Sequence, residues 1–77
     1  GSDTVALGEV GLGGELRQVT GTGRRLMEAA RLGFRRAVVP ASTEDAPDGI
    51  ELVRAATLLE AVAAVGLLPA GKNSRDR

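Results

Sequence analysis

The sequence predicts an α+β domain: a β-hairpin followed by α-β-β-α, arranged as two layers. Three observations carry this reading. A glycine-punctuated stretch of roughly alternating residues opens the chain. The hydrophobic period becomes helical at Arg24. A second helical segment follows two short apolar strands.

Thr4 to Val10 (TVALGEV) carries β-branched residues in loose alternation and reads as a strand. Gly13-Gly14 then offers a two-residue hairpin turn, because both positions can take φ > 0. Glu15 to Val19 (ELRQV) alternates as the return strand. Thr20-Gly21-Thr22-Gly23 is a break, and either threonine can cap the helix that begins at Arg24. In that helix Leu26, Met27, Ala30 and Phe34 share an apolar face, while Arg24, Arg25, Glu28 and Arg31 fall largely elsewhere. Gly33 is placed to end it in the left-handed conformation.

Arg36 to Val39, closed by Pro40, reads as a short buried strand, and strand-helix-strand implies a parallel crossover. Ala41 to Gly49 is a polar loop rich in turn formers. Ile50 to Val53 is a second short strand. Thr57-Leu58-Leu59-Glu60 matches a capping box, and Leu58, Leu59, Val62 and Val65 form the next apolar face. Gly66 and Pro69 stop that helix, and Lys72 to Arg77 is a charged, mobile tail. No repeat or linker interrupts the order β-β-α-β-β-α.

Composition excludes several function classes. The 77 residues allow one small domain, near the size at which a single core becomes marginal. The formal net charge is zero, so nucleic-acid or membrane binding needs a local patch. Without cysteine or histidine there is no disulfide framework, thiolate metal site or imidazole base. No apolar run is long enough to span a bilayer, and no signal peptide is visible. Gly1 to Asp3 reads as an expression scar, and the chain as a piece excised from an intracellular protein.

The candidate sites are few. Glu44, Asp45 and Asp48 lack the spacing of a calcium loop and read as a solvated loop. GEVGLGG matches no phosphate-loop pattern. TGTG precedes a helix whose amides can receive an anion, but no lysine follows. Thr20, Thr22, Ser42, Thr43 and Thr57 are possible nucleophiles without a base, and capping and turn roles account for them. Arg24, Arg25, Arg31, Arg35 and Arg36 cluster around the first helix and its exit. They are the candidate phosphate contacts, against the simpler reading of a solvated helix face. No aromatic residue is interleaved for base stacking, since the lone aromatic, Phe34, reads as core.

The runs VALGEVGLGGELRQV, RRLMEAARLGFRRAVVP and GIELVRAATLLEAV together resemble the C-terminal Lon-protease-like domain of the bacterial RadA (Sms) family. That pattern is a GEVGL-x-GE-x-R-x-V hairpin, an ERRL-x-EAA-x-LGF helix, an AIVP strand, a GIEV strand and a TL-x-EAL helix. The match runs from about Val5 to about Leu67. More distantly the region is similar to Lon protease and to magnesium-chelatase-like ComM proteins, all with the fold type of ribosomal protein S5 domain 2. The resemblance makes residues 4–69 the C-terminal half of such a domain, followed by the tail at 70–77.

The resemblance implies a bacterial, cytoplasmic parent: a DNA-dependent ATPase of homologous recombination that promotes branch migration and forms hexameric rings. The Lon-like domain would support oligomerisation and DNA contact. The family's Walker motif and zinc cysteines are absent from this sequence, so no cofactor or metal is carried over. Lon peptidases use a Ser-Lys dyad. Matching LGFRRAVVP and its helix to the Lon pattern places the lysine at Gly23, and the serine belongs to a segment upstream of the hairpin. Arg24 and Arg25 are poor substitutes, because guanidinium does not deprotonate near neutral pH. The expectation is therefore a non-catalytic scaffold, with a Lon-type or ComM-type peptidase-like or ATPase fragment as the alternative. Its partners would be copies of itself or hexamer neighbours, and DNA, with no membrane. A half domain leaves its first strand with an unpaired edge, which invites self-association.

Overall fold

The computed structural model describes residues 3–67. Gly1 and Ser2 of the expected scar, Pro69 and the charged tail lie outside the described residues. The elements are β1 (Thr4–Ala6), β2 (Glu9–Val10), β3 (Leu16–Arg17), α1 (Thr22–Arg31), β4 (Arg36–Pro40), β5 (Glu51–Ala55) and α2 (Leu58–Leu67). The chain is a mixed α/β domain with two helices, a three-stranded sheet in the order β1-β4-β5 and a separate β2-β3 hairpin.

The expected first strand, Thr4 to Val10, is two strands. β1 pairs with β4 in parallel, Ala6 opposite Val38, and the Leu7 amide donates to the Val38 carbonyl at 2.9 Å. The next bond of that parallel register would run from residue 40 to the Leu7 carbonyl. Pro40 has no N–H to give, so the ladder ends and the chain leaves through Gly8 into the hairpin. The strand order is thus one strand longer than expected. The parallel crossover forms from β1, through the hairpin and α1, to β4. β5 adds in parallel on the other side of β4, with Leu52 opposite Ala37.

The hairpin turn also differs. Gly11 N–H donates to the Glu15 carbonyl at 2.8 Å, which leaves Leu12, Gly13 and Gly14 as a three-residue loop. Of the two glycines expected at positive φ, Gly14 alone is there, at 85°. This is the turn-plus-left-handed-residue form of a three-residue hairpin. The return strand is shorter than Glu15 to Val19, because Glu15 instead bridges to Thr57.

α1 starts two residues early. Its N-cap is Gly21 in the left-handed region, with no side-chain cap, rather than Thr20 or Thr22. The Thr22 hydroxyl faces back, 2.8 Å from the Val19 carbonyl and 2.9 Å from Gln18 Oε1. The C-terminus is as expected. Gly33 sits at φ 97°, its amide donates to Ala30 O, and the Phe34 amide donates to Ala29 O, the bonds of a Schellman motif. Leu26 and Ala29 are buried, while Met27, expected on the core face, is exposed. Met27 lies about 100° around the helix from Leu26, beyond the edge of the buried stripe.

The core joins Leu26 and Ala29 of α1 to Ala37 and Val39 of β4 and to Ile50, with Val5, Leu7, Phe34 and Leu52 packed against them. These residues alternate along the strands with Ala6 and Val38, which turn to the other face of the sheet. There they meet Leu58 and Ala61 of α2. β5 starts one residue later than expected and ends two later, with Ile50 buried ahead of it.

α2 begins at its expected cap. Glu60 N–H donates to Thr57 Oγ1 at 3.1 Å, and Glu60 Oε1 accepts from the Ala56 amide at 2.8 Å, one residue ahead of the usual capping-box donor. Its expected core face is turned outward. Leu58, Leu59, Val62 and Val65 are all exposed, and the half-buried residues are Ala61 and Ala64. Alanine lets the helix lie close on β4 and β5, with Leu58 at the edge of the sheet beside Ala6 and Val38 and with Leu59, Val62 and Val65 left exposed. Gly66 does not stop the helix, which runs to Leu67.

Candidate nucleic-acid and partner interface

The five arginines do not form one patch. Arg24 and Arg25 sit in the first turn of α1, where they line a shallow depression with Thr20, Gly21 and Glu28. Arg25 Nε donates to the Thr20 carbonyl at 3.0 Å, which fixes its direction. Arg31 lies in the last turn and pairs with Glu28 at 3.4 Å. Arg35 and Arg36 stand beyond the other end of the helix, at the start of β4, with Gly49, Ile50 and Glu51. The 10 residues of α1 separate the two ends by about 15 Å.

Their electrostatics differ as well. Arg36 is held between two carboxylates, 3.5 Å from Asp3 Oδ2 and 3.6 Å from Glu51 Oε1, so its charge is largely spoken for. No acidic residue stands in the first turn of α1. Two guanidinium groups there add to the positive end of the helix dipole and to amides that no side chain caps. Arg24 and Arg25 are thus the arginines best placed to meet an anionic backbone.

Three of the five hydroxyl candidates, Thr22, Ser42 and Thr43, gather at one place that the sequence did not signal, while Thr20 lines the depression beside Arg24 and Thr57 caps α2. Gln18 Nε2 donates to Ser42 Oγ at 2.9 Å and to Thr43 Oγ1 at 2.8 Å, while its Oε1 faces Thr22. Arg54 Nε donates to the Thr43 carbonyl at 2.9 Å. Gln18, Thr22, Gly23, Ser42, Glu44 and Asp45 line the resulting cleft of about 490 Å³. Gln18 and Arg54 belong to no periodic pattern, so only the folded chain reveals them. A Cβ built on Gly23 meets nothing within 4 Å, so the position given to the Lon lysine is empty space at the cleft's rim. The hydroxyls tie loop to hairpin here, bonded to Gln18 and the Val19 carbonyl, while the carboxylates of Glu44 and Asp45 line the same cleft. Among the described residues no group of three or more acidic side chains is arranged to hold a metal.

One charged pair has clear perturbations. The Arg17 guanidinium, 2.8 Å away, holds the Glu15 carboxyl below its ordinary value, helped by the Glu15 and Gly13 amides, and Glu15 raises Arg17 in turn. This pair braces the base of the hairpin loop, because Gly13 N–H also donates to Glu15 Oε1 at 3.0 Å.

An apolar surface continues from the hairpin along α2. Val10 and Leu12 of the hairpin are exposed, as are Leu58, Leu59, Val62 and Val65. Val10 and Leu58 meet in a groove with Ala6, Leu7, Leu16 and Val38. No helix among the described residues is long and apolar enough to cross a membrane.

No family model matches the chain. It is 57% identical over 58 residues to the DNA repair protein RadA of Mycolicibacterium smegmatis, covering 75% of this chain and 12% of the relative. It is 42% identical over 74 residues to the DNA repair protein RadA of Synechocystis, covering 95% and 14%. It is 45% identical over 62 residues to the DNA repair protein RadA of Escherichia coli, covering 78% and 14%. The chain thus spans about one seventh or less of these relatives' length. The chain belongs to the RadA family of DNA repair proteins, as a small segment of the whole.

Proposed function

We propose that this segment is a non-catalytic, Lon-like scaffold of a RadA-type recombination ATPase, acting in the bacterial cytoplasm, that helps the parent assemble and contributes phosphate contacts to DNA. The observation that carries the reading is the apolar surface of α2 that the other described residues leave exposed. Apart from Glu60 the helix is built of apolar and small residues, and the Glu60 carboxylate is engaged at the Ala56 amide. A helix apolar on every side is one made to be buried on every side, and among the described residues the sheet meets only the side that carries Ala61, Ala64 and the edge of Leu58.

Gly23 supports the non-catalytic assignment, since glycine has no side chain to serve as a base. The sequence has no His or Cys, and its one lysine is Lys72. The reading assigns neither ATP nor zinc to this segment. Arg24 and Arg25 are the assigned DNA contacts, with Arg31, Arg35 and Arg36 secondary because of their separation and ion pairs.

The test is made in the parent protein. Excision of this segment should shrink the assembled particle and sensitise cells to DNA damage while leaving nucleotide binding intact. An unchanged particle size and unchanged survival would overturn the reading. For the DNA role, fluorescence anisotropy with single-stranded DNA at low salt should show binding that falls when Arg24 and Arg25 become Ala. Each lost phosphate contact should make the salt dependence shallower by a slope of about 0.7.

A further inference from the structure

Asp48 and Gly49 stand side by side in the turn that leads into β5, and both are exposed. An aspartyl side chain places its Cγ where the next residue's amide nitrogen can close a five-membered ring. A side chain on that next residue crowds the closure, and glycine has none. Gly49 sits at φ 92°, and a Cβ built there would meet nothing within 4 Å, so the peptide has room to rotate toward attack. The loop is pinned on both flanks but not at this bond. Arg54 holds the Thr43 and Glu44 carbonyls on one side, and the Glu51 amide donates to the Arg35 carbonyl at 2.8 Å on the other. Among the described residues no hydrogen bond or ion pair engages the Asp48 carboxyl or the Gly49 amide. Gly49 also lines a shallow depression with Arg35, Arg36, Ile50 and Glu51. Arg36 is committed to Asp3 and Glu51, whereas Arg35 enters none of the ion pairs among the described residues. A guanidinium beside the bond favours loss of the Gly49 amide proton and the oxyanion formed on Asp48 Cγ.

We propose that Asp48–Gly49 is a site of spontaneous isoaspartate formation, and so a substrate for an enzyme that methylates isoaspartyl carboxylates. The Gly49 nitrogen attacks Asp48 Cγ. The nitrogen loses its proton and Cγ loses a hydroxyl group, so one water leaves and a succinimide forms. Water then opens the ring at either carbonyl. Opening at Cγ restores aspartate. Opening at the Asp48 main-chain carbonyl breaks its bond to the Gly49 nitrogen, and the chain runs on through Cγ. Water is the only co-reactant. The product carries one extra main-chain carbon and a free α-carboxylate, two residues ahead of Ile50 in the core. Asp45 is the internal comparison. It is exposed in the same loop, but Ala46 follows it, with a side chain that crowds the closure and is itself half-buried against the core.

The test ages the 77-residue chain at neutral pH and body temperature, native and unmodified at the start. Trypsin then releases residues 37–54 as one peptide that holds both Asp45 and Asp48, with Asn73 in another. Electron-transfer fragmentation cuts the extra carbon–carbon bond and locates the isoaspartate. A protein isoaspartyl methyltransferase with labelled S-adenosylmethionine counts it. Isoaspartate at position 48 should accumulate at least tenfold faster than at Asp45, and methyl incorporation into this peptide should rise with it. Asp48→Glu, whose longer side chain needs a six-membered ring, should lower both at least tenfold without changing the circular dichroism spectrum, since Asp48 is exposed. The free peptide 37–54, aged alongside, gives the rate without the fold, and the folded chain should convert within tenfold of it. A folded chain that keeps Asp48 intact while the free peptide converts would overturn the proposal, because the fold would then protect the bond. So would equal conversion at Asp45, or isoaspartate in this peptide that survives Asp48→Glu.

Discussion

The Leu58 amide donates to the Gly14 carbonyl across 2.8 Å, joining residues 44 positions apart in sequence at the first turn of α2. The Leu58 N–H is one of the helix's orphan donors, and the hairpin loop satisfies it with backbone alone. Leu16 N–H to Ala56 O, at 2.9 Å, completes a short antiparallel contact. Helix α2 is thus held by its start, through hydrogen bonds, while most of its apolar surface stays outside the core.

The cap should therefore weigh heavily in this helix's stability. Thr57→Ala removes the acceptor of the Glu60 amide and should lower the unfolding free energy by about 1 kcal/mol, within a range of 0.5–2. Glu60→Ala leaves the Ala56 amide without its partner and should act in the same direction. Because Thr57 and Glu60 share one device, the double variant should cost less than the sum of the singles. Urea titration of the four proteins checks this, and strict additivity would show that the two bonds act independently.

Glycines in α1 should respond in opposite directions. Gly23 is helical, has no positive φ and has open space at its Cβ, so Gly23→Ala should stabilise by about 0.5–1 kcal/mol. In a domain this small that raises the melting midpoint by several degrees. Gly21 sits two residues earlier at φ 74°, where any side chain is strained, and Gly21→Ala should lower the midpoint. A thermal melt of each distinguishes them. A destabilising Gly23→Ala would mean that the cleft beside it needs the space.

Acid should loosen the hairpin loop through Glu15. Its folded-state pKa lies below its unfolded value, near 4.5. The pair with Arg17 therefore contributes stability above that unfolded value and loses it as pH falls through the folded one. Both side chains are exposed, so the effect is small and screened by salt. The stability difference between the native chain and Glu15→Gln should be present at neutral pH, shrink through the acid limb, and diminish in molar salt. A difference that grows on acidification would contradict this assignment.

Much of the fold was legible in the sequence, for identifiable reasons. Gly33 and the Thr57–Glu60 spacing signal local geometry, and local geometry decided both. The apolar run from Ala37 to Val39 signalled burial, and it is the central strand. What failed depended on distant partners. The split of the first strand turns on Pro40, which lies more than thirty residues away from Leu7 and denies it a donor. The outward face of α2 follows from alanines fitting the sheet more closely than leucines, and amphipathic pattern alone assigns large side chains to the core. At the candidate site, the sequence singled out the arginines but not that α1 holds them apart. Nor did it reveal the meeting of Gln18 with Ser42 and Thr43, which leaves no periodic trace.

Neighbouring positions on α1 show the same limit most sharply, and they provide the last test. Leu26 and Met27 are both large, apolar and consecutive, and the helical period alone placed both inside. Leu26 is 1% exposed and Met27 58%. Leu26→Ala removes a side chain packed against Ala37, Val39 and Ile50 and leaves a cavity, so it should cost about 2–5 kcal/mol. In a single small core that is enough to leave the chain largely unfolded at room temperature. Met27→Ala should change stability by no more than about 0.5 kcal/mol, because little of its surface leaves water on folding. Chemical denaturation of the two variants checks the contrast. Equal losses would mean that the Met27 face of α1 is covered by something outside the described residues.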